Sequence, residues 1–330
     1  MPRTVSIAGT GSIGVAFAVL FAKAGFNVRM WDAFPRAFDR ARSDLRSRLE
    51  LLSDAGLLVE NPSVVIDRVT FHGILLDALE GAEFVQECAP ETLEIKREIF
   101  QQLGAYSERG AVLASSSSAI VSSEFATATP ARDRVLIGHP GNPPYLIPVI
   151  EVVPSSYTAQ EYVDRAVEIY RSAGLRPVVV HKEIEGFLFN RLQGALLREA
   201  YCLVRDGVAT VDEVDEVVRS GLGRRWSFIG PFETADLNTR GGIASHAEKM
   251  GPAYARMGEL RSQDDAWTEE LVERVTRERR DILPLDEWDE RVRWRDSQLM
   301  KLTLLLDSSS TLGASRVSSD TPPTQAAPHL

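Results

Sequence analysis

Over the first 180 residues, short apolar runs alternate with longer stretches of helical periodicity. Val5-Ser6-Ile7-Ala8 reads as a strand, a helix-like run then extends to Gly25, and Val28-Arg29-Met30-Trp31-Asp32 reads as a second strand. A charged helical region, 36–58, leads to strand-like Val69-Thr70-Phe71, a further strand within 82–88 and a helix over 93–103. Strands follow at 111–114, 135–138, 147–153 and 177–180, with a helix over 159–173 before the last. This alternation predicts an α/β fold with a doubly wound, mainly parallel sheet. Ligands bind outside the carboxyl ends of strands in such sheets, where Ser115 to Ser118 and His139 would emerge.

From about Asn190 the pattern turns helical and stays so. Leu192, Ala195, Leu196, Ala200, Leu203 and Val204 recur at helical spacing. Thr210 and Glu213 form a capping box for the next helix, and Gly230-Pro231 suits another helix start. Further helices are expected over 246–257, 266–280 and 287–305. The chain thus divides into a sheet domain, 1–187, and a smaller all-helical domain, 188–306. Segment 307–330 is rich in Ser, Thr, Pro and Ala with few large apolar residues, and is expected to be a disordered tail.

The turn after the first strand is Gly9-Thr10-Gly11-Ser12-Ile13-Gly14, and Asp32 lies 18 residues beyond Gly14. A lone G-x-G-x-x-G is weak evidence, but strand, helix and acid in this order make a Rossmann-type dinucleotide site. Gly9 allows the tight turn, Gly11 lets the backbone approach a pyrophosphate, and Gly14 packs the helix on the strand. Asp32 would bond the adenosine ribose and repel a 2′-phosphate, so NAD is favoured over NADP. The 330 residues carry a net charge of −10, which argues against nucleic acid or an anionic membrane as partner. Cys88 and Cys202 fit no metal or redox spacing, and the histidines fit no ligand spacing, so no metal is expected. Reduced thiols and the lack of a signal-like or membrane-spanning run point to a cytoplasmic protein.

Four polar features remain: the four serines from Ser115 to Ser118, His139-Pro140-Gly141-Asn142-Pro143-Pro144, Glu151 in an apolar strand, and Gly186-Phe187-Leu188-Phe189-Asn190-Arg191. A carboxylate buried at Glu151 needs a partner, and His139 is a suitable one; the alternative is an edge strand with Glu151 facing water. A carboxylate on one imidazole nitrogen raises the basicity of the other, which gives a general base for a hydroxyl proton beside a nicotinamide. Asn190 could be a plain helix cap, and the mixed charges from Arg36 to Arg48 read as a solvated helix face or a docking site for a CoA phosphate.

These segments resemble the 3-hydroxyacyl-CoA dehydrogenase superfamily over residues 4–305. Gly221-Leu222-Gly223-Arg224-Arg225-Trp226 and His139 to Tyr145 look closest to its lambda-crystallin branch, which includes L-gulonate 3-dehydrogenase. The resemblance implies His139 as general base, Glu151 as its orienting carboxylate, Ser118 as a contact to the substrate oxygen and Asn190 as the active-site asparagine. It places Glu91 and Lys96 on the nicotinamide side of the cofactor, and Arg225 on a substrate carboxylate, probing from either subunit of a homodimer. The serine segment reads Ser-Asn-Thr-Ser in the acyl-CoA enzymes, and aromatic residues follow their histidine where Pro140-Gly141 stands here. Gly141, in place of the branch's Val, is expected to leave room for a substrate of different shape. The expected function is NAD-dependent oxidation of a free, L-gulonate-like hydroxy acid. A short-chain 3-hydroxyacyl-CoA (3-hydroxybutyryl-CoA) dehydrogenase is the alternative, and a non-catalytic, crystallin-like nucleotide-binding protein a further one.

Overall fold

Strand β1 (Thr4–Ala8) is buried almost throughout, and the glycine turn leads from it into α1 (Ser12–Lys23), nine of whose residues are buried. Strand β2 (Asn27–Trp31) pairs with β1 in parallel, and α2 (Phe38–Asp54) packs Phe38, Ala41, Leu45, Leu49 and Leu52 inward at helical spacing. Two short helices, α3 (Pro62–Ile66) and α4 (Leu75–Leu79), flank β3 (Val69–His72). Then come β4 (Phe84–Glu87), α5 (Leu93–Tyr106), β5 (Val112–Ser115), the single turn α6 (Ser123–Ala126), β6 (Val135–Pro140), β7 (Val149–Pro154), α7 (Gln160–Ser172) and β8 (Arg176–Val179). The computed structural model describes residues 3–314 except 228, 240–241, 260–269, 271–272, 275, 278–280 and 282–283.

The eight strands form one sheet in the order β3-β2-β1-β4-β5-β6-β7-β8. All neighbours are parallel except β6 and β7, which are antiparallel. The chain winds outward in both directions from β1 and β4, so a crevice opens at their carboxyl ends. Alternate residues of a strand serve opposite faces: Phe84 joins a core with Ile7, Phe17 and Leu45, and Val85 joins another with Leu113, Phe100 and Phe125. Cover on both faces explains why all four residues of β4 are buried, its two polar ones included.

The chain separates into two compact units, Met1–Arg191 with Asp296–Leu330, and Leu192–Arg295. Helix α8 (Phe189–Arg205) runs across the division. In the second unit α9 (Val211–Glu216) carries the complete Thr210–Glu213 capping box. A π-helical stretch, Val217–Leu222, and α10 (Gly223–Trp226) precede α11 (Pro231–Asn238), which has Pro at its first turn, and α12 (Gly242–Glu259). The helix expected over 266–280 lies largely outside the described residues. The last helix, Trp288–Ala314, extends past the start of the tail expected at 307, and 315–330 lie outside the described residues. No helix among the described residues is long and apolar enough to cross a membrane.

Candidate active site

The glycine turn is shaped by its contacts. Gly9 has φ +122°, and a Cβ there would lie 2.6 Å from the Cys88 carbonyl oxygen; one on Gly14 would lie 2.0 Å from the Gly9 carbonyl oxygen. Nothing faces the same position of Gly11 within 4 Å, which leaves its backbone open to a ligand. Helix α1 starts there with no side-chain cap and no acid in its first turn, so its free amides offer an anion site for Ser12, Ile13 and Gly14 to complete. Beside it a cleft of about 710 Å³ is lined by Gly11, Asp32, Phe34, Ala89, Ile95 and Ile99 among others. Asp32 stands at the end of β2. Its Oδ2 accepts from the Thr10 amide (2.8 Å) and hydroxyl (2.7 Å), and its Oδ1 from the Phe34 amide (2.9 Å). Uncapped amides, an open glycine and a carboxylate at the cleft wall together fit a dinucleotide.

His139 and Glu151 are direct cross-strand partners of the antiparallel β6–β7 pair. That orientation brings the imidazole Nδ1 to 2.7 Å from Glu151 Oε2. The other oxygen, Oε1, accepts from the backbone amides of Leu188 (2.6 Å) and Phe189 (3.0 Å). Glu151 is thus an acceptor on both oxygens, Nδ1 is the donor, and Nε2 is left free to accept. Phe187 makes this possible: with Gly186 it forms an elbow of left-handed backbone, φ +49° and +75°, which a bulky residue rarely adopts. The elbow turns the next two amides onto the carboxylate, and the Phe187 ring packs 5.5 Å from the imidazole. Glu151 is 2% exposed and lies on an inner strand, so it does not face water from an edge.

The serine segment follows β5. Ser118, partly exposed, has its carbonyl bonded by Asn190 Nδ2 (3.0 Å), which ties the loop to the first turn of α8. Glu91 holds the loop from the other side: Oε1 accepts from the Ser117 hydroxyl (2.6 Å) and the amides of Ser118 (2.9 Å), Ala119 (3.1 Å) and Ile120 (3.4 Å). Partial burial raises the Glu91 pKa, but the Ser117 hydroxyl, the Lys96 ammonium and these amides outweigh it and hold it below the usual carboxylate range. Lys96 is fully buried and directs its ammonium at Glu87, 2.9 Å from both carboxylate oxygens.

Sequence reasoning missed Glu87. A signal was present, because Lys96 lies on the same stripe of α5 as the buried Ile99, Phe100 and Leu103, and a lysine there needs a buried partner. Arg48 was missed as well. It leaves the expected solvated face to bond Ser12 through its carbonyl (3.1 Å) and hydroxyl (2.9 Å), held by Asp44. Gly141 does not open space: a Cβ there would lie 2.5 Å from Ile147 Cγ2 and 3.0 Å from Val149 Cγ1, so neighbouring side chains already fill that volume. Cys88 borders the cofactor cleft, with its thiol pushed up to about 12 by burial and by Glu87. Arg225 belongs to the second unit, where its Nη1 reaches Asn238 Oδ1 at 3.3 Å.

The model of the 3-hydroxyacyl-CoA dehydrogenase NAD-binding domain matches residues 4–184, and that of the C-terminal domain matches 186–280. A lambda-crystallin homolog of Bos taurus is 37% identical over 308 residues, covering 92% of this chain and 96% of the relative. An L-carnitine dehydrogenase of Streptomyces griseus is 40% identical over 252 residues, covering 76% of this chain and 74% of the relative. Among solved structures, a 5-formyl-3-hydroxy-2-methylpyridine 4-carboxylic acid 5-dehydrogenase, described as an NAD+-dependent dismutase, superposes with a TM-score of 0.80 at 27% identity. It covers 93% of this chain and 99% of that one.

Proposed function

Since the chain belongs to the 3-hydroxyacyl-CoA dehydrogenase family, whose members are NAD-dependent dehydrogenases acting on 3-hydroxyl groups, we propose that it oxidises a free 3-hydroxy acid with His139 as general base. The observation that carries this reading is the bonding of Glu151. Two backbone amides fix one carboxylate oxygen, the other accepts a hydrogen bond from Nδ1, and Nε2 is therefore presented as the acceptor for a hydroxyl proton. The glycine turn and Asp32 would hold NAD, which would supply the acceptor for the hydride of the carbinol carbon. His139 Nε2 takes the hydroxyl proton in the same reaction, so the carbon leaves as a ketone and the imidazole as an imidazolium. The Ser118 hydroxyl supports the substrate oxygen, and Asn190 holds the Ser118 carbonyl so that the hydroxyl stays in place.

The free-acid reading is supported by two of the relatives, whose named substrates, L-carnitine and a pyridine carboxylic acid, carry carboxylates and no CoA. Arg225 is the cation proposed for that carboxylate, as a planar fork suits it. An L-gulonate-like acid remains the leading substrate on the likeness to lambda-crystallin. The same reading includes an NAD-binding part, 1–187, and a helical substrate and dimerisation part, 188–306. Leu192, Phe232 and Leu237, all exposed in the second unit, support a homodimer.

His139→Ala is expected to lower kcat by about two to four powers of ten with NAD affinity nearly unchanged, since general-base catalysis contributes that much. Turnover near that of the parent enzyme, in a folded variant that binds NAD, would refute the mechanism.

A further inference from the structure

One buried pair has no place in the proton and hydride transfer above: Lys96, expected on the nicotinamide side of the cofactor, is fully buried and turns its ammonium onto Glu87 instead. Glu87 ends β4 and Lys96 lies on the inner face of α5, and both side chains are wholly shielded from solvent. The ammonium donates to both Glu87 oxygens at 2.9 Å and to the Ala89 carbonyl at 3.3 Å. Glu87 Oε2 also accepts from the Ser115 hydroxyl (2.5 Å), and Oε1 from the Ala89 amide (2.5 Å). Such a pair adds little net stability, because desolvating two charges offsets their attraction, and well-packed apolar residues often replace it without loss. What the pair holds is therefore more informative than what it contributes.

It holds the serine segment by two routes. Directly, Glu87 fixes the Ser115 hydroxyl, which in turn accepts from the Ser117 amide at 3.2 Å. Indirectly, the Lys96 ammonium stands 3.6 Å from Glu91 Oε2, and the other oxygen of Glu91 gathers the amides of Ser118, Ala119 and Ile120. Both routes end on the loop that carries Ser118, and both start from a strand end beneath the cofactor cleft. We infer that Glu87 is a positioning residue: paired with Lys96, it locks the carboxyl ends of β4 and β5 together and so sets the place of Ser118. The consequence for turnover rests on the reading of Ser118 as the support of the substrate oxygen; the order of the loop does not.

The test replaces the pair by apolar residues of similar size, Glu87→Leu with Lys96→Met. Glu87→Leu alone should unfold at lower denaturant, and the double variant should recover the parent midpoint. The double variant should nevertheless lose roughly 10- to 100-fold in kcat, since a small misplacement of a reacting contact has that effect. Amides of Ser118, Ala119 and Ile120 should exchange with solvent faster, with no substrate present. Recovered stability together with parental kcat and parental exchange would overturn the inference. Faster exchange with unaltered kcat would support the tie and place the failure in the reading of Ser118. Should the double variant not fold, Glu87→Gln, which keeps the shape of the side chain and removes its charge, is read instead: faster exchange over residues 117–120 would support the tie, and unchanged exchange would overturn it.

Discussion

Two carboxylates are buried in this sheet, each against a basic side chain, and the two pairs do different things. Glu87 stands at the end of β4 with Lys96; Glu151 stands opposite the end of β6 with His139. Burial is nearly equal, at 0% and 2% exposure, so exposure does not separate them. The partner does. Lys96 commits its donors to Glu87 and Ala89 and has no site to accept a proton, so that pair is a fixed tie. His139 commits one nitrogen and keeps the other, so its pair can receive a proton and pass it on. The anchoring of the acids follows the same division. Glu87 takes a hydroxyl and a nearby amide, which joins strand ends, whereas Glu151 takes two amides from the elbow before α8, which fixes the orientation of one imidazole.

A single kind of substitution, acid to amide, should separate the pairs. In Glu151→Gln the amides of Leu188 and Phe189 still need an acceptor, so the side-chain oxygen stays with them and the NH2 group turns to His139. Nδ1 must then accept, the proton moves to Nε2, and the base is lost. A wrong tautomer of this kind costs about four powers of ten in a Ser-His-Asp triad, and a loss of roughly 10²- to 10⁴-fold in kcat is expected here. Steady-state rates across pH check this. A Glu151→Gln enzyme with parental kcat would put the imidazole's orientation under some other control.

Glu87→Gln should act on stability instead. It removes the nearer of the two carboxylates that face the buried Lys96 ammonium and leaves Glu91 at 3.6 Å; breaking a buried pair costs up to about 3–5 kcal/mol, read as a shift in the denaturant midpoint. A fall in kcat of up to about tenfold is expected as Ser118 loosens, smaller than that of Glu151→Gln because the bond that orients His139 is untouched. A loss of kcat with Glu87→Gln as large as that with Glu151→Gln would erase the distinction between the pairs.

Much of this was legible along the chain because the signals are local. Strand, glycine turn, helix and Asp32 occupy 32 consecutive residues, and Glu151 betrays itself as a charge in an apolar run. The rest depends on contacts between distant segments. The Glu87–Lys96 pair and the hold of Glu91 on the serine loop join residues on different elements, and nothing in their spacing reveals the geometry. Helices α3, α4 and α6, with five, five and four residues, are too short to show a period. The antiparallel pairing of β6 with β7 had a cue in the short connection from Gly141 to Pro148, since parallel strands need a crossover of about a dozen residues or more. The volume beside Gly141 could not be judged from the glycine alone, because Ile147 and Val149 fill it.

The central claim is that the His139–Glu151 pair serves a free hydroxy acid rather than a CoA ester. Initial rates of NAD reduction by L-gulonate, L-carnitine and 3-hydroxybutyrate, set beside NADH oxidation by acetoacetyl-CoA in the same preparation, test it most directly. The account predicts efficient turnover of at least one free acid and poor turnover of acetoacetyl-CoA. Efficient turnover of acetoacetyl-CoA with inert free acids would contradict it.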